Sequence, residues 1–219
     1  MRAWTWRNSI EGLTRARSDQ RRPWLVRPWA RPLVFGLCLL PLGWLVWGAA
    51  ADALGPNPAE ALIRGSGLWA LRALCVALAV TPLRLLLRHP PLARLRRMLG
   101  LFAFFYASLH LLAYAWLDMG LEPGEMLRDL LQRPFILVGM AAWIVLLALA
   151  ASSPGAVARW MGARRWRRLH RGVYLVAALA VLHFGWMRAG KNDFGEVWVY
   201  GLLLAGLLLA RPLLRRRSA

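Results

Sequence analysis

Apolar residues gather into six runs, at approximately 33–51, 67–86, 99–117, 134–152, 170–187 and 196–214, with short polar connections between them. Each run is close to the roughly 20 residues that an α-helix needs to cross the hydrocarbon core of a bilayer. The pattern predicts an all-α polytopic membrane protein, a six-transmembrane-helix bundle. Pro41 interrupts the first run and predicts a kink, which a membrane helix tolerates when neighbours re-satisfy the freed backbone group. There is no repeat at solenoid spacing, and the two halves lack the paired Gly/Pro-broken helices of a transporter site.

The connections sort by charge. Of the 29 Lys and Arg, 23 fall in residues 1–32, 84–97, 159–171 and 211–219, all on one side of the alternating spans. Eight of the ten Asp and Glu fall on the other side, chiefly in loops 52–66 and 117–133. This positive-inside asymmetry predicts that both termini are cytoplasmic. It also explains the formal net charge of +19 without nucleic acid; membrane lipid is the expected neighbour. Residues 1–32 carry eight Arg and no sustained apolar pattern, and are read as a basic cytoplasmic arm, largely disordered, before a membrane domain at 33–219. QRRPWL in that arm is similar to a twin-arginine signal, and WGAAADA offers a cleavage-like site. Removal is not expected, because the apolar run between them is long enough to serve as an anchor. Cys38 and Cys75 both lie within apolar runs and read as small core residues. No C-x-x-C-H is present, so any haem would be held without a covalent link.

Ionisable side chains inside apolar runs are costly and are functional candidates by default. His110 lies in LGLFAFFYASLHLLAYAW, while His170 and His183 share the stretch 164–187, RRWRRLHRGVYLVAALAVLHFGWM. The third and fifth spans run in the same direction, with His110 about eleven residues and His183 about thirteen residues into them. Equal depth on separate helices is what bis-imidazole ligation of a haem iron requires. The competing reading is interhelical hydrogen bonding; the matched depth and the absence of Asp or Glu from every run favour ligation. His170 sits among Arg167, Arg168 and Arg171 at the inner boundary, either solvated or ligating an inner haem. The position on the third span that would pair with it is Arg96, a poor iron ligand because guanidinium has no lone pair to give. Met98 is nearby, and His89, in RHPPL, is expected to be exposed. Arg72 is expected to snorkel outward or to meet haem propionates. Arg96, Arg97, Arg164 and Arg165 make the inner mouth positive, suited to anionic lipid or a flavin phosphate. The lack of intramembrane acids argues against a proton-coupled transporter or channel. With no Gly-rich dinucleotide fingerprint, nicotinamide electrons would have to arrive through another protein.

Three stretches, RRMLGLFAFFYASLHLLAYAWLDMG, QRPFILVGMAAWIVLLALAASS and GARRWRRLHRGVYLVAALAVLHFGWMR, closely resemble the MsrQ (YedZ) family of haem-binding membrane subunits, within the ferric-reductase-like transmembrane family. The resemblance runs from about residue 33 to the end and implies that His110, His170 and His183 are haem histidines. Larger relatives carry a second histidine where this chain has Arg96, which bears on whether there is one haem b or two. The resemblance further implies an electron-transfer subunit rather than a catalytic one, in the bacterial inner membrane. Its electrons would come from the quinone pool or a cytoplasmic flavin reductase and pass to a periplasmic MsrP-type molybdoenzyme that repairs oxidised methionines. FMN is also associated with the family. The alternatives are a stand-alone ferric or quinone reductase and a non-redox transporter or scaffold.

Overall fold

The computed structural model describes residues 29–190 and 192–217. The predicted basic arm, with its twin-arginine-like segment, lies outside the described residues as far as residue 28. The helices are α1 (Ala30–Ala50), α2 (Pro58–Leu86), a 3-10 turn (Pro90–Leu95) leading into α3 (Arg96–Ala113), α4 (Pro123–Gln132), α5 (Pro134–Ala151), α6 (Gly155–Met161), α7 (Ala163–Leu169), α8 (Gly172–Ala189) and α9 (Gly195–Arg217). Helix α3 runs on as a π-helical turn, Tyr114–Asp118. Among the described residues, six segments are long and apolar enough to cross a membrane: Ala30–Ala50, Pro58–Leu86, Pro90–Asp118, Pro134–Ala151, Ala163–Ala189 and Gly195–Leu214. The protein is therefore an all-α membrane protein with six spans, as the apolar runs predict.

Helix α2 starts nine residues before its apolar run, so most of the expected 52–66 loop is helical. Asn57 Oδ1 accepts the Glu60 amide at 3.1 Å, and Pro58, with no N–H to lose, occupies the first turn. Glu60 then pairs with Arg64 one turn on, so charges that dilute the hydropathy still support the helix.

Contacts divide the chain between Leu37 and Cys38, inside α1; Ala30–Leu37 forms the opening turns of that helix. In the larger unit the closest pairings are α2 with α3, α5 with α8, and α9 with α2. The core joins Leu71, Leu74, Cys75 and Leu78 of α2 to Ala103, Leu149, Val176, Ala177 and Leu204. Small residues at Ala103 and Ala177 let helices approach closely. Cys38 and Cys75 are free thiols.

Two polar contacts fasten helices to their neighbours. Beside Pro41, the Tyr106 hydroxyl enters the α1 ladder, donating to Cys38 O at 2.6 Å and accepting from Leu42 N at 3.2 Å. An inserted side chain of this kind, next to a proline, is a recognised cause of helix kinking. Near the other end of the core, buried Arg211 of α9 donates to Leu78 O at 2.9 Å and to the Tyr174 hydroxyl at 3.2 Å.

Candidate cofactor site between paired histidines

The site is built from two helix pairs that repeat one arrangement. His110 of α3 donates from Nδ1 to the Ile63 carbonyl of α2 at 2.8 Å. Its ring lies against Gly67, where a Cβ would come within 2.9 Å of Nδ1. His183 of α8 donates from Nδ1 to the Phe135 carbonyl of α5 at 2.6 Å. Its ring lies against Gly139, where a Cβ would come within 2.8 Å. In each pair the carbonyl and the glycine are four residues apart, on one face of the partner helix. A carbonyl oxygen only accepts, so each Nδ1 carries the proton and each Nε2 keeps its lone pair. Neither Nε2 has a hydrogen-bond partner among the described residues.

The two ring centroids are 6.1 Å apart, with planes at 75°. Imidazoles bound on opposite sides of one metal at about 2 Å each have centres about 6 Å apart, so the spacing suits a shared iron. Among the described residues no group of three or more His, Cys, Asp or Glu could hold a metal ion. Two opposed imidazoles suit a metal whose remaining ligands come from a macrocycle. Hydrogen-bonded Nδ1 groups are the outer-shell contacts that orient metal-ligating histidines.

Both rings line a cavity of about 670 Å³, within the range of roughly 300–1,000 Å³ usual for cofactor and ligand sites. Its interior is apolar, with Leu71, Leu74, Ala107, Leu146 and Val176 among the lining residues. One end of it is polar and includes Arg64, Arg133 and Arg188 together with Glu60, Asp118 and Glu196. Arg188 pairs with Asp193 and Glu196, yet its Nε is buried without a partner. Arg133 uses Nε on Asp129 at 2.8 Å. An apolar slot with paired imidazoles inside and arginine N–H groups at one end fits haem, whose ring is apolar and whose propionates are anionic.

The other expected site residues are placed elsewhere. Arg72 does not line this cavity: its Nε donates to the Tyr200 hydroxyl at 2.9 Å and its guanidinium lies over Trp69. The long α2 helix turns Arg64 to the cavity and Arg72 toward α9. Arg96 and Arg97 are exposed at the start of α3, and Arg96 is an electrostatic neighbour of His170. His170 stacks on Trp166 at 4.0 Å, and its Nε2 is 3.1 Å from Ser152 Oγ. His89 is half-buried rather than exposed, with Nε2 closed off and unpartnered, because its turn folds back under α2 through His89 N donating to Arg84 O. Arg64, Arg133, Arg188, Gly67 and Gly139 were not legible as site residues; the signal for the first glycine is the 3-and-4 spacing of Glu60, Ile63, Gly67, Leu71 and Leu74, one face of α2.

Six apolar helices, with a pair of tethered histidines lining a cavity between them in the larger unit, define a polytopic membrane protein with a candidate cofactor site. Residues 66–181 match the ferric reductase like transmembrane component family, and the chain belongs to that family. It is 57% identical over 188 residues to a protein of Polaromonas naphthalenivorans, covering 86% of each chain. It is 53% identical over 178 residues to one of Bordetella pertussis, covering 81% of this chain and 86% of the relative. It is 43% identical over 191 residues to one of Caulobacter vibrioides, covering 85% and 90%. Each of these relatives is named protein-methionine-sulfoxide reductase heme-binding subunit MsrQ. No solved structure matches the chain.

Proposed function

We propose that the chain is the electron-transfer subunit of a protein-methionine-sulfoxide reductase system, a b-type cytochrome in which His110 and His183 are the axial ligands of a haem. The supporting observation is the pair of imidazoles 6.1 Å apart, each held by Nδ1 to a backbone carbonyl with Nε2 left for metal. When bound, haem supplies a one-electron couple inside the bilayer. The protein's own part is to hold both lone pairs in place, keep water from an apolar slot and meet the propionates with Arg64, Arg133 and Arg188. The relatives' names support the cofactor and the system.

In this reading both termini face the cytoplasm and the membrane is the bacterial inner membrane, in keeping with the arginine-rich connections. Electrons enter at the inner side from the quinone pool or a cytoplasmic flavin reductase and leave at the outer side to a periplasmic MsrP-type molybdoenzyme. His170, Arg96 and Arg97 belong to the entry side, where the positive charge also suits the phosphate of FMN. Arg72 supports the outer half of the bundle through Tyr200.

The test is electron delivery. Haem-replete protein in vesicles is reduced with quinol or with a flavin reductase, then mixed with the MsrP-type enzyme and a methionine sulfoxide peptide. Haem reoxidation that requires the enzyme supports the reading. Equal reoxidation by ferric chelate or quinone alone assigns a stand-alone reductase, and no haem bands at all assigns a scaffold.

A further inference from the structure

Each half of the histidine cage is fixed by its own helix pair, but the tethers do not set one half against the other. The shared core and Arg211 join them farther along the bundle; nearer the rings, two polar contacts do so. In the apolar interior, Trp143 of α5 donates from Nε1 to Ser108 Oγ of α3 at 3.0 Å, and the Trp143 ring packs on Phe104 with centroids 6.1 Å apart. At the outer end, the Tyr114 hydroxyl, one turn past His110 on α3, donates to Asp129 Oδ2 of α4 at 2.7 Å. The other oxygen of Asp129 takes Arg133 Nε at 2.8 Å, and the Asp129 carbonyl accepts the Arg133 amide at 2.9 Å. Arg133 O in turn accepts the Ile136 amide at 2.9 Å, closing the turn that presents the Phe135 carbonyl to His183.

Asp129 is the only buried acid among the described residues, 8% exposed. A carboxylate withdrawn from water is retained where it is paired and hydrogen-bonded. Here each of its oxygens has a partner, one from the His110 half and one from the segment that holds His183. Tyr114 and Arg133 also line the cavity. The π-helical turn at Tyr114–Asp118 lets α3 depart from regular winding at this point, and such turns are frequent at functional sites.

We propose that Asp129 is a positioning residue: with Tyr114 and Arg133 it forms an outer strut that fixes the His110 half of the cage against the His183 half and so sets the electronic state of the bound iron. The inference rests on His110 and His183 being the haem ligands and adds what orients them toward one another. The strut also fixes one negative charge beside Arg133 at the propionate end.

Two variants separate position from charge. Tyr114→Phe removes one hydrogen bond and no charge; Asp129→Asn keeps the shape but leaves the Arg133 cation without its counter-charge. Both are expected to retain haem, because the Nδ1 tethers are intact. Both are expected to broaden the low-spin electron paramagnetic resonance signal, which reports ligand-plane orientation. The reduction midpoint is expected to rise in Asp129→Asn, since an unpaired cation favours the reduced iron, and to move less in Tyr114→Phe. Wild-type line shape and midpoint in both variants would overturn the strut. Complete loss of haem from folded Tyr114→Phe would overturn the view that the tethers alone retain it and that the strut only orients the ligands. His110→Ala, measured alongside, tests the ligand assignment itself: a full low-spin signal there removes the premise, whereas its loss together with wild-type behaviour of both strut variants removes only the strut.

Discussion

Gly139→Ala tests how tightly the cage is built. The new Cβ would lie 2.8 Å from His183 Cε1 and Nδ1, whereas ordinary van der Waals contact begins at 3.4 Å. The ring must therefore retreat by about 0.6 Å, off the face of α5 that also carries the Phe135 carbonyl. That retreat stretches the 2.6 Å tether to the long edge of hydrogen bonding and shifts His183 from its 6.1 Å register with His110. Disturbing an outer-shell contact of a metal-ligating histidine typically costs roughly ten- to a hundredfold in affinity, or ~1.4–2.8 kcal/mol. The assay is the rate at which haem leaves purified protein for an excess of apomyoglobin, with Gly100→Ala as control because nothing lies within 4 Å of that position. Faster transfer is expected for Gly139→Ala and, for the same reason at 2.9 Å, Gly67→Ala. Wild-type transfer rates in both glycine variants would refute the close-fit reasoning.

His170→Ala is expected to keep the main low-spin spectrum, because His170 Nε2 is engaged with Ser152; loss of that spectrum in a folded variant would make the residue a ligand. Arg188→Gln should lower the haem midpoint potential, since a cation at the cavity mouth favours reduced iron; redox titration showing no change would separate Arg188 from the propionates. Tyr106→Phe removes the hydroxyl inserted into α1 and should cost about 1–2 kcal/mol, read as a lower unfolding midpoint in detergent; an unchanged midpoint would mean that Leu42 N and Cys38 O simply pair directly.

The spans were legible because a bilayer makes apolar length decisive, and the depth of His110 and His183 followed from counting along two parallel spans. The start of α2 was not, because Asn57 and Pro58 act through capping geometry and leave no mark on hydropathy. The tethers at Ile63 and Phe135 were equally silent: backbone carbonyls have no residue signature. Arg72 and Arg64 look alike in sequence, and only the winding of α2 sends one to Tyr200 and the other to the cavity. The contact of His170 with Ser152 across eighteen residues is tertiary and leaves no mark on the sequence. Asp129 read as one more acid in an outer loop until α4 folded it inward, where Tyr114 and Arg133 meet it.

The decisive comparison is haem stoichiometry and the low-spin spectrum of wild type beside His110→Ala and His183→Ala, all purified from haem-replete cells. Loss of the low-spin signal on removing either imidazole is the result expected of two rings sharing one iron. A full signal surviving either substitution would place the iron elsewhere and contradict the proposed ligation.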